Sequence, residues 1–309
     1  MEMVQHVIIR DDEQPTRRAT NPDLEAVLGH EYRVLDKGFI RLVDYMGTDA
    51  SIVQAARVSY GAGTKSVSED SGLISYLMRH RHTSPFEMCE LKFHCKLPIF
   101  VARQWIRHRT ANVNELSARY SIIKDEFWMP DLWRGQAKNN KQGSEGEVEY
   151  NPSIWELAGL NNPDGGFIYE APGHKRSIEA AAFEEYNFRI ENGIGRELAR
   201  SCLPMSTYTE WYWKIDLHNL MHFLKLRCDK HAQKEIRDYA DAIAAIVEIG
   251  YPITWGHFQN HVLNAVTFSA DEMQWVKLGG ACINYLPEIE ADLGKSRALE
   301  FRKKMGLCG

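Results

Sequence analysis

The chain reads as an α+β protein with mixed helices and an antiparallel-rich sheet, on three observations. "CELKFHCKLP" (89–98) alternates cleanly, with Leu91, Phe93, Cys95 and Leu97 on one side and Lys92, His94 and Lys96 on the other. That is the period of a half-buried strand. "YRVLDKGFIRLVDYM" (32–46) reads as two short strands turning at Asp36-Lys37-Gly38. Strands and helices then mix without the regular βαβ alternation of a parallel sheet.

The remaining elements follow from local chemistry. Residues 1–31 are polar and mixed and are expected to form an accessory arm; the main domain is placed at 32–250 and a C-terminal extension at 251–309. Thr48 or Asp49 offers a side-chain oxygen to cap a helix through "SIVQAARVSY" (51–60). A second helix, about 70–80, puts Leu73, Ile74, Leu77 and Met78 on one face, and Pro85 ends the connection after it. Pro98 opens a helix expected over 99–109. Residues 134–152 are poor in apolar side chains, so a polar insertion is expected at about 130–165, with a turn cluster at "NNPDGG" (161–166). A helix over about 176–191 stops at Asn192-Gly193. "RELARSCLP" (196–204) reads as a short helix ended by Pro204, and "STYTEWYWKI" (206–215) as a strand. Asp216 caps a helix over 217–227, and an amphipathic helix follows at about 232–248.

Bulk properties exclude several classes. With 309 residues, 44% of them hydrophobic, the chain is long enough for a sizeable core. A net charge of −5 argues against a general nucleic-acid or membrane-surface binder. The six cysteines show no CxxC spacing, which removes the zinc-ribbon and thioredoxin-like readings and favours a reducing compartment. The N-terminus lacks the pattern of a signal peptide, and no segment approaches the roughly 20 apolar residues of a membrane span. A cytoplasmic location is expected.

Against that acidic background, "RQWIRHRTANVNELSARY" (103–120) gathers four arginines. On a helix Arg103 and Arg107 would share one face, and Gln104 and His108 the next. Guanidinium forks onto phosphate oxygens with two parallel hydrogen bonds, so Arg103, Arg107 and Arg109 near one helix end suit a diphosphate. Glu115 would repel such an anion and suits a hydroxyl, a ring N–H or an arginine. Phe100, Val101, Trp105 and Ile106 surround the arginines, so partial desolvation of the charges is expected.

"RHRTANVNELS" (107–117) fits the RHR-x7-S signature and resembles the flavin-dependent thymidylate synthases, the ThyX family. "AARVSYG" (55–61), "HTSPFE" (82–87), "KLPIFVARQWIRHR" (96–109), "NELSARYS" (114–121), "RELAR" (196–200) and "DLHNLMHFLKLR" (216–227) are similar to family segments in family order. The resemblance implies a ThyX-like fold assembled as a homotetramer with active sites at subunit junctions. It also implies an enzyme, at once methyltransferase and oxidoreductase, converting dUMP to dTMP with FAD, NADPH and 5,10-methylenetetrahydrofolate as the folate co-substrate. By matching position, it implies FAD binding by Ser59, His82, Ser84, Arg107, His108, Arg109, Glu115, Asp216, Leu217, His218 and His222. For dUMP it implies Gln104, Trp105, Ile106, Arg107, Glu115, Leu116, Ser117, Ala118, Arg119, Arg200 and Arg227. Arg227 matches the family arginine that favours an anionic pyrimidine, a catalytic role without a cysteine nucleophile. A guanidinium holds its proton at neutral pH, so that role is electrostatic.

Several residues depart from the family pattern. Asn112 stands where many members have serine, Leu116 where tyrosine is common, and Asp216 and His222 where some have asparagine. An aspartate beside a flavin phosphate is compatible only through its backbone or its capping role.

Plainer readings stand beside these. His218 and His222 lie four apart but lack the glutamate of HExxH, and no metal is expected. "HRH" (80–82) suits a helix end, and "EWYW" (210–213) suits a core. Cys202, in "SCLP", looks like a core residue. The alternative function is a non-catalytic nucleotide- or RNA-binding protein using the same arginines, with Trp105 as a stacking surface.

Overall fold

In the computed structural model the described residues are 20–58, 67–138, 143–148, 178–278 and 286–307. They fall into two compact units, Met1–His257 and Phe258–Gly309. The strands are β1 (Glu31–Val34), β2 (Gly38–Met46), β3 (Glu90–Pro98), β4 (Asn112–Glu115), β5 (Trp133–Gln136), β6 (Ser144–Val148) and β7 (Tyr208–Asp216). The larger unit is built on a five-stranded sheet in the order β1-β2-β3-β7-β4, and every pairing in it is antiparallel. The architecture is α+β, as the mixed element order implies.

The sheet's two faces follow the alternation in the sequence. Leu91, Phe93, Cys95 and Leu97 are fully buried, and opposite them on β7 lie Ile215, Trp213, Trp211 and Thr209. The helices Ile99–Trp105, Leu217–Arg227 and Lys234–Gly250 add further buried apolar side chains, among them Trp105, Phe223 and Tyr239. The other face is charged. Lys214 pairs with Glu90 at 2.6 Å, and His94 stacks on Tyr212 with ring centroids 4.9 Å apart. Lys96 is also buried, its ammonium 2.7 Å from Glu126.

Local chemistry sets the element ends. Thr48 caps the helix Asp49–Arg57 with a capping box. The helix Val67–Arg79 closes with Arg81 in the left-handed region (φ 56°) and the His82 N–H donating to Leu77 O at 2.9 Å. That is a Schellman turn built without glycine. Gly193, at φ 75°, ends Ile178–Glu191 in the same manner. Asp216 caps Leu217–Arg227 by accepting from the Asn219 N–H at 2.9 Å.

Four differences from the sequence reading bear on the site. The helix expected over 99–109 stops at Trp105, because the chain turns to lay β4 along the open edge of β7. β4 itself had no periodic signal, being four exposed residues. The short helix at "RELARSCLP" runs Arg196–Ala199 and tightens into a 3-10 turn, Arg200–Cys202. Of the expected insertion, β5 and β6 form an antiparallel hairpin, while the turn cluster at 161–166 lies outside the described residues.

Within the segment expected as an arm, Pro22–Val27 is a helix capped by Asn21. Its Leu24 is fully buried and packs on Gly250, where a Cβ would come within 2.7 Å of it. The smaller unit has its own core of Ile289, Leu293, Ala298 and Phe301. There Glu272, 3% exposed, accepts from Lys304 at 2.8 Å and from the Ser269 N–H at 2.7 Å.

Gly38 is required by close approach. A Cβ there would overlap the Tyr239 hydroxyl, which donates to Lys96 O at 2.7 Å, and would lie 2.7 Å from Val34 O and 2.8 Å from Lys96 O. Gly38→Ala is therefore expected to destabilise the protein by about 2 kcal/mol. Because two of the obstacles are backbone, adding Tyr239→Phe should not restore the melting temperature; recovery of the wild-type value in the double variant would refute this packing.

Candidate functional site

The helix Ile99–Trp105 delivers the site's first residues. Trp105 turns inward and is fully buried, with ring centroids 5.0 Å from Trp213 and 4.9 Å from Phe223. This corrects its expected stacking role: the indole belongs to the core and offers no face to a ligand. Gln104, one residue earlier, is half-buried at the rim. Ile106 caps the helix and is exposed, and the chain then turns through Arg107, His108 and Arg109.

Arg227 closes the facing helix, Leu217–Arg227, and reaches back across this turn. Its Nε–H donates to His108 Nε2 at 3.0 Å and its Nη2 to Gln104 O at 3.2 Å. His222, one turn earlier, places its ring 6.0 Å from that of His108. The structure thus brings Gln104, His108, His222 and Arg227 together from two segments about 120 residues apart in sequence. Burial lowers the pKa of Arg227 from its ordinary value. Burial first, and then the nearby Arg227 and His222, push the His108 pKa down to about 4. The geometry agrees, since Nε2 must be unprotonated to accept from Arg227.

The expected desolvation of the arginine stretch is overturned. Arg103, Arg107, Arg109 and Arg119 are all exposed on the single chain, because the early helix end turns Val101 and Trp105 inward and the cations outward. Arg103 and Arg107 do not share a helical face, since Arg107 lies beyond the cap. Among the described residues Arg107 and Arg109 make no ion pair, which leaves both free for an anion. Arg119 lies over the Tyr120 ring at 5.4 Å.

β4 leads into the rest of the motif. Glu115 ends the strand, and its carboxylate accepts from the Thr209 hydroxyl at 2.7 Å. The Leu116 N–H donates to Glu210 O at 2.8 Å, holding the turn against β7. Ser117 O accepts from the Tyr120 and Ser121 N–H groups, Ala118 is buried, and Leu116 is exposed. Arg200, in the 3-10 turn, is exposed, and no hydrogen bond or ion pair among the described residues links it or Arg119 to Arg227.

The remaining candidates lie at helix ends. Asp216 directs both carboxylate oxygens at Asn219, at 2.9 Å to its N–H and 2.8 Å to its Nδ2, so it acts as a cap. Leu217 is buried, and its N–H donates to Cys89 O at 2.8 Å. His218 and His222 share a face of that helix, His218 half-buried and His222 exposed. His82 and Ser84 are exposed next to the short helix Ser84–Glu87, which packs on Leu217–Arg227. His82 lies 6.3 Å from His80, ring to ring. Ser59 lies outside the described residues.

Sequence reading missed Thr209, Gln233 and Glu235. Thr209 could have been found from the parity of its strand, since it shares the inward face with Trp211 and Trp213. Gln233 and Glu235 had no signal, because their importance lies in partners far away in sequence. Among the described residues no group of three His, Cys, Asp or Glu side chains is placed to hold a metal, and no helix is long and apolar enough to cross a membrane.

The depressed His108 pKa has a measurable consequence. Between about 6.5 and about 4 the unfolded chain binds a proton that folded His108 refuses, so its contribution to stability falls as pH is lowered through that window. His108→Gln should flatten the pH dependence of the denaturation midpoint between those limits. An NMR titration showing His108 protonating near 6.5 in the folded protein would contradict the Arg227 contact.

Comparison with known proteins agrees with the motif evidence. A family model described as thymidylate synthase complementing protein matches residues 41–253. A flavin-dependent thymidylate synthase of Ehrlichia ruminantium (strain Gardel) is 52% identical over 264 residues, covering 85% of this chain and 84% of its own. Its counterpart in Thermus thermophilus is 55% identical over 241 residues, covering 78% of this chain and 83% of its own. In structure the chain is similar to the UMP/dUMP methylase PolB from Streptomyces cacaoi bound with 5-Br dUMP. That match has a TM-score of 0.63 and 31% identity, covering 75% of this chain and 99% of that one. The chain is an enzyme of the flavin-dependent thymidylate synthase family.

Proposed function

We propose that the protein methylates dUMP to dTMP, taking the carbon from methylenetetrahydrofolate and reducing power from NADPH through FAD, with no protein cysteine as nucleophile. The observation that carries this reading is the placement of Arg227. A half-buried guanidinium is held between His108, in the segment assigned to flavin by resemblance, and Gln104, in the segment assigned to nucleotide.

The residues present suit a phosphorylated cofactor. Arg107 and Arg109 stand exposed and free of carboxylate partners, and the one carboxylate at the helix start, Asp216, is turned onto Asn219. When bound, the flavin supplies the redox chemistry. The chain's own residues bind, orient and polarise. Arg107, His108 and Arg109, with His82, Ser84, His218 and His222, would hold the cofactor. Gln104, Glu115 to Arg119, Arg200 and Arg227 would hold the nucleotide. Neutral His108 adds no second charge beside Arg227 and keeps its guanidinium oriented. Arg227 then stabilises negative charge developing on the pyrimidine as its carbon 5 becomes nucleophilic.

The cysteines support a non-covalent route. Burial is the main cause that pushes Cys89 and Cys228 up to about 12, and it raises Cys95 further. Such thiols are not thiolates at neutral pH. Cys202 points its thiol at Ala199 O (3.3 Å) and Ala182 O (3.5 Å). Among the described residues all four cysteines are free, in keeping with a cytoplasmic compartment. The arginines lie open on a single chain, so a site enclosing two ligands needs a second subunit; the assembly we propose is a homotetramer with sites at its junctions. In this reading residues 32–250 carry both ligand sites.

The decisive assay is tritium release from 5-tritiated dUMP with NADPH and methylenetetrahydrofolate, with and without FAD. FAD-dependent release is expected; a colourless protein with no release would overturn the reading. Arg227→Ala should lower turnover by about 100-fold or more while flavin stays bound. Loss of flavin in this variant, or unharmed dUMP turnover with flavin bound, would contradict that role. Cys202→Ala should stay active, and a folded but inactive variant would restore the covalent route.

A further inference from the structure

Gln104 is tied to a chain of polar groups that the proposed chemistry does not use. Its Nε2 donates to Gln233 Oε1, and Gln233 Nε2 donates to Glu235 Oε2 at 2.8 Å. Glu235 is 1% exposed, and its other oxygen accepts from Arg134 Nη2. Arg134 lies on β5, and its Nε donates to Ser144 on β6 at 3.0 Å. The hairpin in the polar insertion is thereby connected to the residue beside Arg227. Trp128, Leu132 and Trp133 with Arg134, Gln233 and Glu235 line a cavity of about 280 Å³ at this junction.

The chain has a forced direction. A guanidinium only donates and a carboxylate only accepts. Glu235, buried and paired with Arg134, can only receive from Gln233, so the Gln233 amide turns its NH2 toward Glu235 and its oxygen toward Gln104. Gln104 must then give its NH2 to Gln233, which leaves its carbonyl oxygen for a ligand. Unconstrained, an exposed glutamine amide flips freely and presents either end. Gln104 is further held at its backbone oxygen by Arg227 Nη2.

We infer that Arg134, Glu235 and Gln233 are positioning residues that lock the Gln104 amide so that its carbonyl oxygen accepts from a donor of the bound nucleotide. The inference deepens the proposed function and rests on it. The donor is an O–H or N–H: the sugar 3′-hydroxyl or the uracil N3–H. The polarity disfavours a ligand that offers an acceptor there, because the carbonyl cannot be exchanged for the NH2 without breaking the bond to Gln233. The insertion hairpin thus contributes to nucleotide binding without touching the ligand.

The test is a set of binding and kinetic measurements on the full-length holoenzyme. Gln233→Met removes the relay amide at similar volume and should raise the dUMP KM and Kd about tenfold, with kcat within about twofold. Arg134→Met should do the same, and Arg134→Lys should restore most of the affinity by keeping a cationic donor. Two analogues locate the donor: 2′,3′-dideoxyuridine monophosphate lacks the hydroxyl, and N3-methyl-dUMP lacks the ring N–H. One of them should bind the wild type more weakly and lose nothing further in Gln233→Met. Unchanged dUMP affinity in Gln233→Met overturns the relay, as does a further loss of equal size with both analogues. A wild-type protein that carries flavin but does not bind dUMP overturns the functional reading as well, which separates the two failures.

Discussion

Burial of the Trp105 indole is the constraint on which the site depends. Its ring meets Trp211, Trp213, Phe223 and Tyr239, so a single side chain joins the helix that carries Gln104 to β7 and to two further helices. Truncating a buried aromatic of this size costs about 3–5 kcal/mol. With Trp105 seated, Gln104 is left at the rim and Arg227, at the end of the Phe223 helix, comes within reach of its carbonyl. A shift of the helix by one residue would take Gln104 inward and Trp105 outward, which the core's close packing forbids.

The electrostatics of the site follow from where that helix stops. Arg103, Arg107 and Arg109 on a continuing helix would have shared faces with apolar neighbours. Instead the turn after Trp105 sends Arg107 and Arg109 to solvent and draws His108 back toward Arg227. Two kinds of cation result. The exposed pair is free to meet mobile phosphates, while Arg227 is fixed by hydrogen bonds and partly withdrawn from water. A fixed, partly desolvated charge loses little to reorganisation, which is what stabilising a developing anion requires.

Much of the fold was legible because its signals are local. The alternation of β3, the hairpin before it, the Asp216 cap and the Asn192-Gly193 stop each depend on a few adjacent residues. β4 was not legible: its four residues are exposed, and it is a strand only because β7 offers an unpaired edge. The helix end at Trp105 was misjudged for the same reason, since the competing strand β7 is remote in sequence. Trp105 reads from sequence as a stacking platform, and only the packing of Trp211, Trp213 and Phe223 around it makes it a core anchor.

By itself, then, the sequence determined the class of fold, the order of most elements and the family, because period, capping chemistry and motif spacing are properties of short segments. Only the tertiary structure decided which groups face which. It paired Arg227 with His108, set Thr209 under Glu115 and aligned Gln104 with Gln233. Those contacts join segments far apart along the chain, and directional hydrogen bonds between such segments exist only once the core has brought their backbones within a few ångströms.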